Sequence, residues 1–114
     1  MARVLLVDDD TAALDLRKRI FENRGRAVTV ANSAASAREQ FLAQPPESVI
    51  LDLRLPDAED GIALIREFRA ASPAVKIVVL CGWRADLDGR PEAALVDLIL
   101  SKPVRSEVLL SSIS

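Results

Sequence analysis

Along the chain, short unbroken aliphatic runs alternate with longer segments whose apolar residues recur every three to four positions. Val4 to Val7 is a continuous apolar run that stops at three acids, the pattern of a strand buried on both faces. Ala13, Leu16 and Ile20, with Leu14 and Phe21 beside them, fall at helical spacing, and Asp10 or Thr11 is placed to cap that helix. Gly25 stops it. Ala27 to Ala31 predicts a second strand, and Ser33 caps a helix whose buried side includes Ala34, Ala37, Phe41 and Leu42, ended by Pro45 and Pro46. Val49 to Leu53 predicts a third strand, followed by a loop over 54–60 and a helix lined by Ile62, Ile65 and Phe68. Ser72 and Pro73 break that helix, and Val75 to Cys81 is the longest apolar strand. Gly89, Arg90 and Pro91 interrupt the next segment, which leaves room for one short helix near Pro91 at most. Leu98 to Leu100 predicts a brief last strand. A final helix begins at Ser106 and is cut short at Ser114, as in a domain excised from a longer regulator or a minimal stand-alone one.

Strands alternating with helices across short connections imply parallel βαβ units with right-handed crossovers. Five such repeats in 114 residues predict one α/β domain over 1–114, a flavodoxin-like doubly wound parallel sheet of strand order 2-1-3-4-5. Ligands of such sheets bind beyond the carboxyl ends of the strands. Those ends carry Asp8, Asp9 and Asp10 on the first strand, Asp52 on the third, Cys81 on the fourth, and Lys102 with Pro103 on the last. With Asp10 set aside as a helix cap or solvated acid, three carboxylates and one ammonium converge on one crevice.

Composition narrows the chemistry. The net charge of -2, with acids and bases interspersed, argues against a nucleic-acid or membrane-surface binder. A single cysteine excludes an internal disulfide and fits a reducing, cytoplasmic setting. No run is apolar enough for a signal segment or a membrane span. With no histidine, His-based triads and His metal sites are closed off. Clustered carboxylates repel one another, and a hard divalent ion such as Mg²⁺ relieves the conflict. A carboxylate can also attack a phosphoryl group to give an aspartyl-phosphate, with Lys102 neutralising charge on the phosphoryl oxygens. An acid inside a run as apolar as Val49 to Leu53 is anomalous on packing grounds alone. The chain has 12 Arg against 3 Lys, so a neutral basic position would more often read Arg than Lys102 does. Arg17, Lys18 and Arg19 are most simply a solvated helix face, with partner docking the lesser alternative.

The segments VLLVDDD, VILDLRLP, IVVLCG and LSKP, in that order and nearly at the usual separations, resemble the signature segments of response regulator receiver domains. The resemblance covers essentially the whole chain. It implies a two-component signalling module rather than an enzyme, phosphorylated by a histidine kinase or histidine phosphotransfer protein. Carried over position by position, Asp52 is the phosphoacceptor, Asp9 the direct Mg²⁺ ligand, and Asp8 its acidic partner acting largely through water. Asp52 itself and the backbone carbonyl of Arg54 complete the metal shell. Lys102 and the Gly82 backbone contact the phosphate, and Pro103 follows a peptide bond that is often cis. A homodimer through the last strand and its flanking helices is a further implication.

Two positions depart from the family pattern. Cys81 stands where a Thr or Ser hydroxyl normally meets the phosphoryl oxygen, and a thiol is a poorer donor. Ile99 stands where a Tyr or Phe ring normally swings inward. Both halves of the usual switch are altered, which predicts an atypical, weak output across the face formed by the last strand and its flanking helices. The loop PDAEDG is one residue longer than the common form and richer in acid. The rival reading is a pseudo-receiver that keeps the fold and signals by docking without phosphorylation; Cys81 and Ile99 favour it, while Asp8, Asp9, Asp52 and Lys102 oppose it. The pair Asp8 and Asp10 also resembles, loosely, the nucleophile motif of haloacid dehalogenase-like phosphatases, a fold that needs more chain. A flavin-binding flavodoxin is further off, since no phosphate loop follows the first strand.

Overall fold

The apolar runs become five parallel strands at the centre of the molecule. The computed structural model describes residues 2–113, so Ser114, where the last helix is expected to be cut short, lies outside the described residues. The strands are β1 (Arg3–Val7), β2 (Ala27–Ala31), β3 (Ser48–Asp52), β4 (Lys76–Cys81) and β5 (Leu98–Ser101). They are ordered β2-β1-β3-β4-β5, the expected order. Helices α1 (Thr11–Glu22), α2 (Ala34–Ala43), α3 (Ala58–Ala71) and α4 (Ser106–Ser112) cover the two faces. Between β4 and β5 the chain makes only two short 3-10 turns, Arg84–Asp86 and Pro91–Leu95, because Gly89 takes a positive φ and Pro91 can only begin a new turn.

Side chains alternate across the sheet, so each strand feeds two cores. Leu5, Val7, Val49, Leu51, Ile77, Val79 and Cys81 pack toward α2 and α3, with Ile99 partly buried against them. Val4, Leu6, Ile50, Val78 and Leu80 pack toward α1 and α4, against Leu14, Phe21 and Leu109. Asp8 continues the Val4–Leu6 stripe and Asp52 the Ile50 stripe. The period of two therefore sends both carboxylates to the α1 side, and sends Cys81 and Ile99 to the other.

The helix faces correct two expectations. Leu16 is 61% exposed and Leu42 is 75% exposed. In α1 the inward stripe is Leu14, Arg17 and Phe21, at i, i+3 and i+7, so one of its members is a cation. In α2 the stripe is Ala37 and Phe41, whose ring stacks on Phe68 of α3 at 4.2 Å between centroids, leaving Leu42 one step round the helix. Asp10 is the residue that caps α1, accepting from the Ala13 amide at 3.2 Å, and Ser33 caps α2 from the Ser36 amide. The loop after β3 is shorter than expected. Asp57 begins α3, and the Asp60 carboxylate accepts from the Asp57 amide, so two acids of PDAEDG close a helix start. A third, Glu59, takes both ends of the Arg90 guanidinium.

A second polar clip ties the far end of the sheet. Arg69 of α3 donates to the carbonyls of Pro73, Val75 and Leu95 and to Asp97. Asp97 also accepts from the Ile77 amide at 2.7 Å, which joins the starts of β4 and β5. Burial pushes the Asp97 carboxyl up, but the Ile77 amide and the Arg69 guanidinium outweigh it and hold it below the usual aspartate range. A depressed carboxyl stabilises the fold above its unfolded value and loses that contribution as pH falls through its folded value. Asp97→Asn should therefore cost about 1 kcal/mol at pH 7, discounted for its partial exposure. That difference should shrink in urea melts below about pH 4; a cost that is the same at pH 3 and pH 7 would show the charge plays no part.

Candidate functional site

Register places the site. Asp8 follows β1 and its amide donates to Ala31 of β2. Asp52 ends β3 opposite Leu80, and Cys81 ends β4 opposite Ser101, one residue before Lys102. The carboxylates of Asp8, Asp9 and Asp52 all lie within 4.8 Å of one another. Asp8 and Asp52 are buried and Asp9 is exposed, so the cluster has a dry floor and one wet carboxylate.

Each buried acid is held by specific donors. Asp52 Oδ1 accepts from the Arg54 amide at 3.3 Å, and Asp52 Oδ2 pairs with Lys102 Nζ. Burial raises the Asp52 carboxyl; the Lys102 bond lowers it, the Asp8 charge raises it again, and the net direction is up. Asp8 Oδ1 accepts from the Asp10 amide at 2.9 Å and Oδ2 from Arg17 Nη1 at 2.7 Å. Burial alone would raise Asp8, but those two donors outweigh it and hold the carboxyl below the usual range.

The rest of the cleft forms around this pair. Cys81 is buried, and its thiol donates to the Trp83 carbonyl at 2.9 Å. Gly82 lies beside the Lys102 stem: a Cβ built there would sit 4.0 Å from Lys102 Cδ. Arg54, expected to matter only through its carbonyl, also clamps Asp86 with two bonds of 2.8 and 2.9 Å across the mouth of the cleft. Leu55–Pro56 and Lys102–Pro103 are cis, the second as the resemblance implies. Ile99 is not in the cleft; it lies half-buried in the core on the α3 side.

Sequence reasoning missed Arg17 and Asp86. Arg17 could have been found from the stripe Leu14–Arg17–Phe21, on which a cation must reach a buried acid or leave the core. Asp86 gives no such signal, because its pairing depends on how the 3-10 turn after Trp83 folds back.

In chemical terms the cluster suits a hard divalent ion and a phosphoryl group. All its anionic donors are oxygens, which suits Mg²⁺ over a thiolate-seeking metal. The ammonium on Asp52 is a ready partner for phosphoryl oxygens. No helix among the described residues is long and apolar enough to cross a membrane.

Known proteins with these features converge on one family. The family model "Response regulator receiver domain" matches residues 4–114. The acid tolerance regulatory protein ActR of Rhizobium meliloti is 38% identical over 80 residues, covering 70% of this chain and 41% of that protein. The chain thus spans less than half the length of that relative. A CheY-like receiver domain from Methylobacillus flagellatus superposes with a TM-score of 0.84 at 30% identity, covering 100% of this chain and 99% of the other. A response regulator from Burkholderia pseudomallei, solved with a phosphorylated aspartic acid, a calcium ion and citrate, gives a TM-score of 0.83 at 27% identity, over 100% of this chain and 67% of that one. With its sheet order, its acidic cleft and this match along nearly its whole length, the chain belongs to the response regulator receiver domains, signalling modules of two-component systems rather than enzymes.

Proposed function

We propose that this domain accepts a phosphoryl group on Asp52 from the phosphohistidine of a histidine kinase or phosphotransfer protein, with Mg²⁺ held in the acidic cleft. The observation that carries this reading is the meeting of three carboxylates within 4.8 Å with the Lys102 ammonium on Asp52. The phosphorylated aspartic acid of the Burkholderia relative supports it. Asp9, Asp52 and the Arg54 carbonyl would hold the ion directly, and Asp8 through water. When bound, Mg²⁺ supplies positive charge for the phosphoryl oxygens.

The chain's own groups do the rest. An Asp52 carboxylate oxygen forms the new O–P bond as the P–N bond to the donor imidazole breaks, and the imidazole nitrogen keeps that electron pair and takes up a proton. Lys102 moves from Asp52 Oδ2 to a phosphoryl oxygen, and the Gly82 amide offers a second donor. Catalysis by positioning and charge needs no general base, since Asp52 attacks in its ionised form. Intact mass after incubation with Mg²⁺ and a small-molecule phosphoryl donor should rise by one phosphoryl group, and Asp52→Ala should abolish the gain. A mass gain that survives Asp52→Ala would assign the chemistry elsewhere; no gain in the unmodified chain, with Mg²⁺ bound, would favour the pseudo-receiver.

The output of this module is read as weak along the usual route. Cys81 already spends its thiol hydrogen on the Trp83 carbonyl, and Ile99 brings no ring to move. Replacing a hydroxyl-to-phosphoryl bond with a thiol contact removes about 1–2 kcal/mol of differential stabilisation, a loss of bias of roughly tenfold. Exchange of the β5 amides (98–101) should change little on beryllofluoride binding. The change should grow in Cys81→Thr, and further with Ile99→Tyr added. A full rearrangement of β5 in the unmodified chain would overturn this. Pairing of two copies through β5 and α4, where Leu98 and Val108 are exposed, belongs to the same reading; its other expected flank is the 3-10 turn 91–95 rather than a helix.

A further inference from the structure

Arg17 sits on the inward stripe of α1 between Leu14 and Phe21, with only 17% of its side chain exposed. Its guanidinium holds Asp8 Oδ2 at 2.7 Å, while the Asp10 amide holds Oδ1, so each oxygen of that buried acid already accepts one hydrogen bond. Arg17 also lines the same cleft as Asp9, Asp52 and Lys102. Three carboxylates thus face two cations. The phosphoryl chemistry uses Lys102 and leaves Arg17 without a task.

We propose that Arg17 is the resident counterion of the acidic cluster, competing at Asp8 with the divalent cation and so setting how tightly that cation is held. The inference rests on the metal-dependent reading above and adds to it a residue that tunes the ion.

Asp8 is too buried to be left ionised and alone, so something positive must stay beside it. Arginine does not release its proton, so the guanidinium can yield only by moving. A hydrated ion that takes up Asp8 must therefore displace Arg17 or bind beside its charge. Either way the free energy of the ion is offset by that of the guanidinium, and the apparent affinity falls with the fraction of molecules in which Asp8 is available. A merely structural ion pair, fixing α1 on β1, would stabilise the fold and leave ion affinity untouched.

Thermal melts of the full chain against Mg²⁺ concentration separate the two, because the ion stabilises only the state that binds it. Arg17→Met should bind Mg²⁺ about tenfold more tightly than the unmodified chain, the size expected for one lost charge-assisted contact. Arg19→Met removes the same charge from an exposed position of α1 and should stay within about twofold. Without Mg²⁺, Arg17→Met should melt below the unmodified chain, and saturating Mg²⁺ should close the gap. Should Arg17→Met fold poorly even with the ion, Arg17→Gln, which keeps a donor without the charge, should still shift the Mg²⁺ midpoint in the same direction. A midpoint for Arg17→Met or Arg17→Gln equal to that of Arg19→Met, or higher, overturns the proposal while leaving the metal reading intact. A chain whose melts ignore Mg²⁺ in every variant overturns both, and an Mg²⁺ effect that survives Asp9→Asn places the ion elsewhere and overturns both as well.

Discussion

Lys102→Ala should slow phosphorylation of Asp52 by about 10²–10³-fold at saturating Mg²⁺, the range seen when one preorganised donor to a developing charge is removed. The ammonium bonds Asp52 Oδ2 in the resting protein, so it is already beside the reacting atom and needs only a short shift to reach a phosphoryl oxygen. In the loose transition state negative charge spreads over the equatorial oxygens, and a compact point charge in a half-buried cleft is worth far more there than in water. Lys102→Arg should recover little, because a bulky planar fork does not replace a compact ammonium point charge at a tight phosphoryl site. Mass spectrometry over time with a small-molecule donor measures both rates. A Lys102→Ala chain that phosphorylates within threefold of normal would reduce Lys102 to a structural partner of Asp52. The same variant should also raise the Asp52 carboxyl further, since burial already pushes it up and the Lys102 bond is the strongest influence pulling it down.

What could be read in the sequence divides along physical lines. The strands were legible because parallel strands buried on both faces must be continuously apolar, and Val4–Val7, Val49–Leu51 and Ile77–Cys81 have no other use in a chain this short. The acids at the carboxyl ends of β1 and β3 were legible for the same reason: polar groups at the end of such a run need a purpose. Helix faces were less legible. In α1 two apolar stripes are available, and the one chosen by the protein contains Arg17 while Leu16 faces water. A search for the most apolar face passes over a stripe that carries a charge to a buried acid. The acids of PDAEDG look like loop residues, though Asp57 and Asp60 close a helix start and Glu59 pairs with Arg90, 31 residues further along the chain. Long-range ion pairs such as Arg54–Asp86 leave no local trace at all.

The chain geometry that aims Asp52 depends on Gly61, and Gly61→Ala should destabilise the domain by about 3 kcal/mol, at the upper end for overpacking. Helix propensity alone points the other way: an interior Gly→Ala change in a helix is worth roughly 1 kcal/mol of added stability. Space decides against it. A Cβ at Gly61 would overlap the Leu53 carbonyl oxygen and sit 2.7 Å from its carbon and 2.8 Å from its Cα. These are backbone atoms, not the tip of a side chain that can turn aside. Leu53 and Ile62 are fully buried on either side of the contact, so neither segment can move without opening the core. The easiest relaxation pushes α3 away from the end of β3, and Leu53 is the residue after Asp52. The Leu53 amide, which donates to Leu80 at 3.3 Å, and the Arg54 amide, which donates to Asp52 Oδ1, would shift with it. Gly61→Ala should therefore lower the melting temperature by roughly 10 °C or more, taking the ordinary scaling for a domain of this size. It should also slow phosphorylation at temperatures where the variant is still folded. A melting temperature at or above that of the unmodified chain would mean that propensity wins and that α3 can stand off from Leu53 without cost.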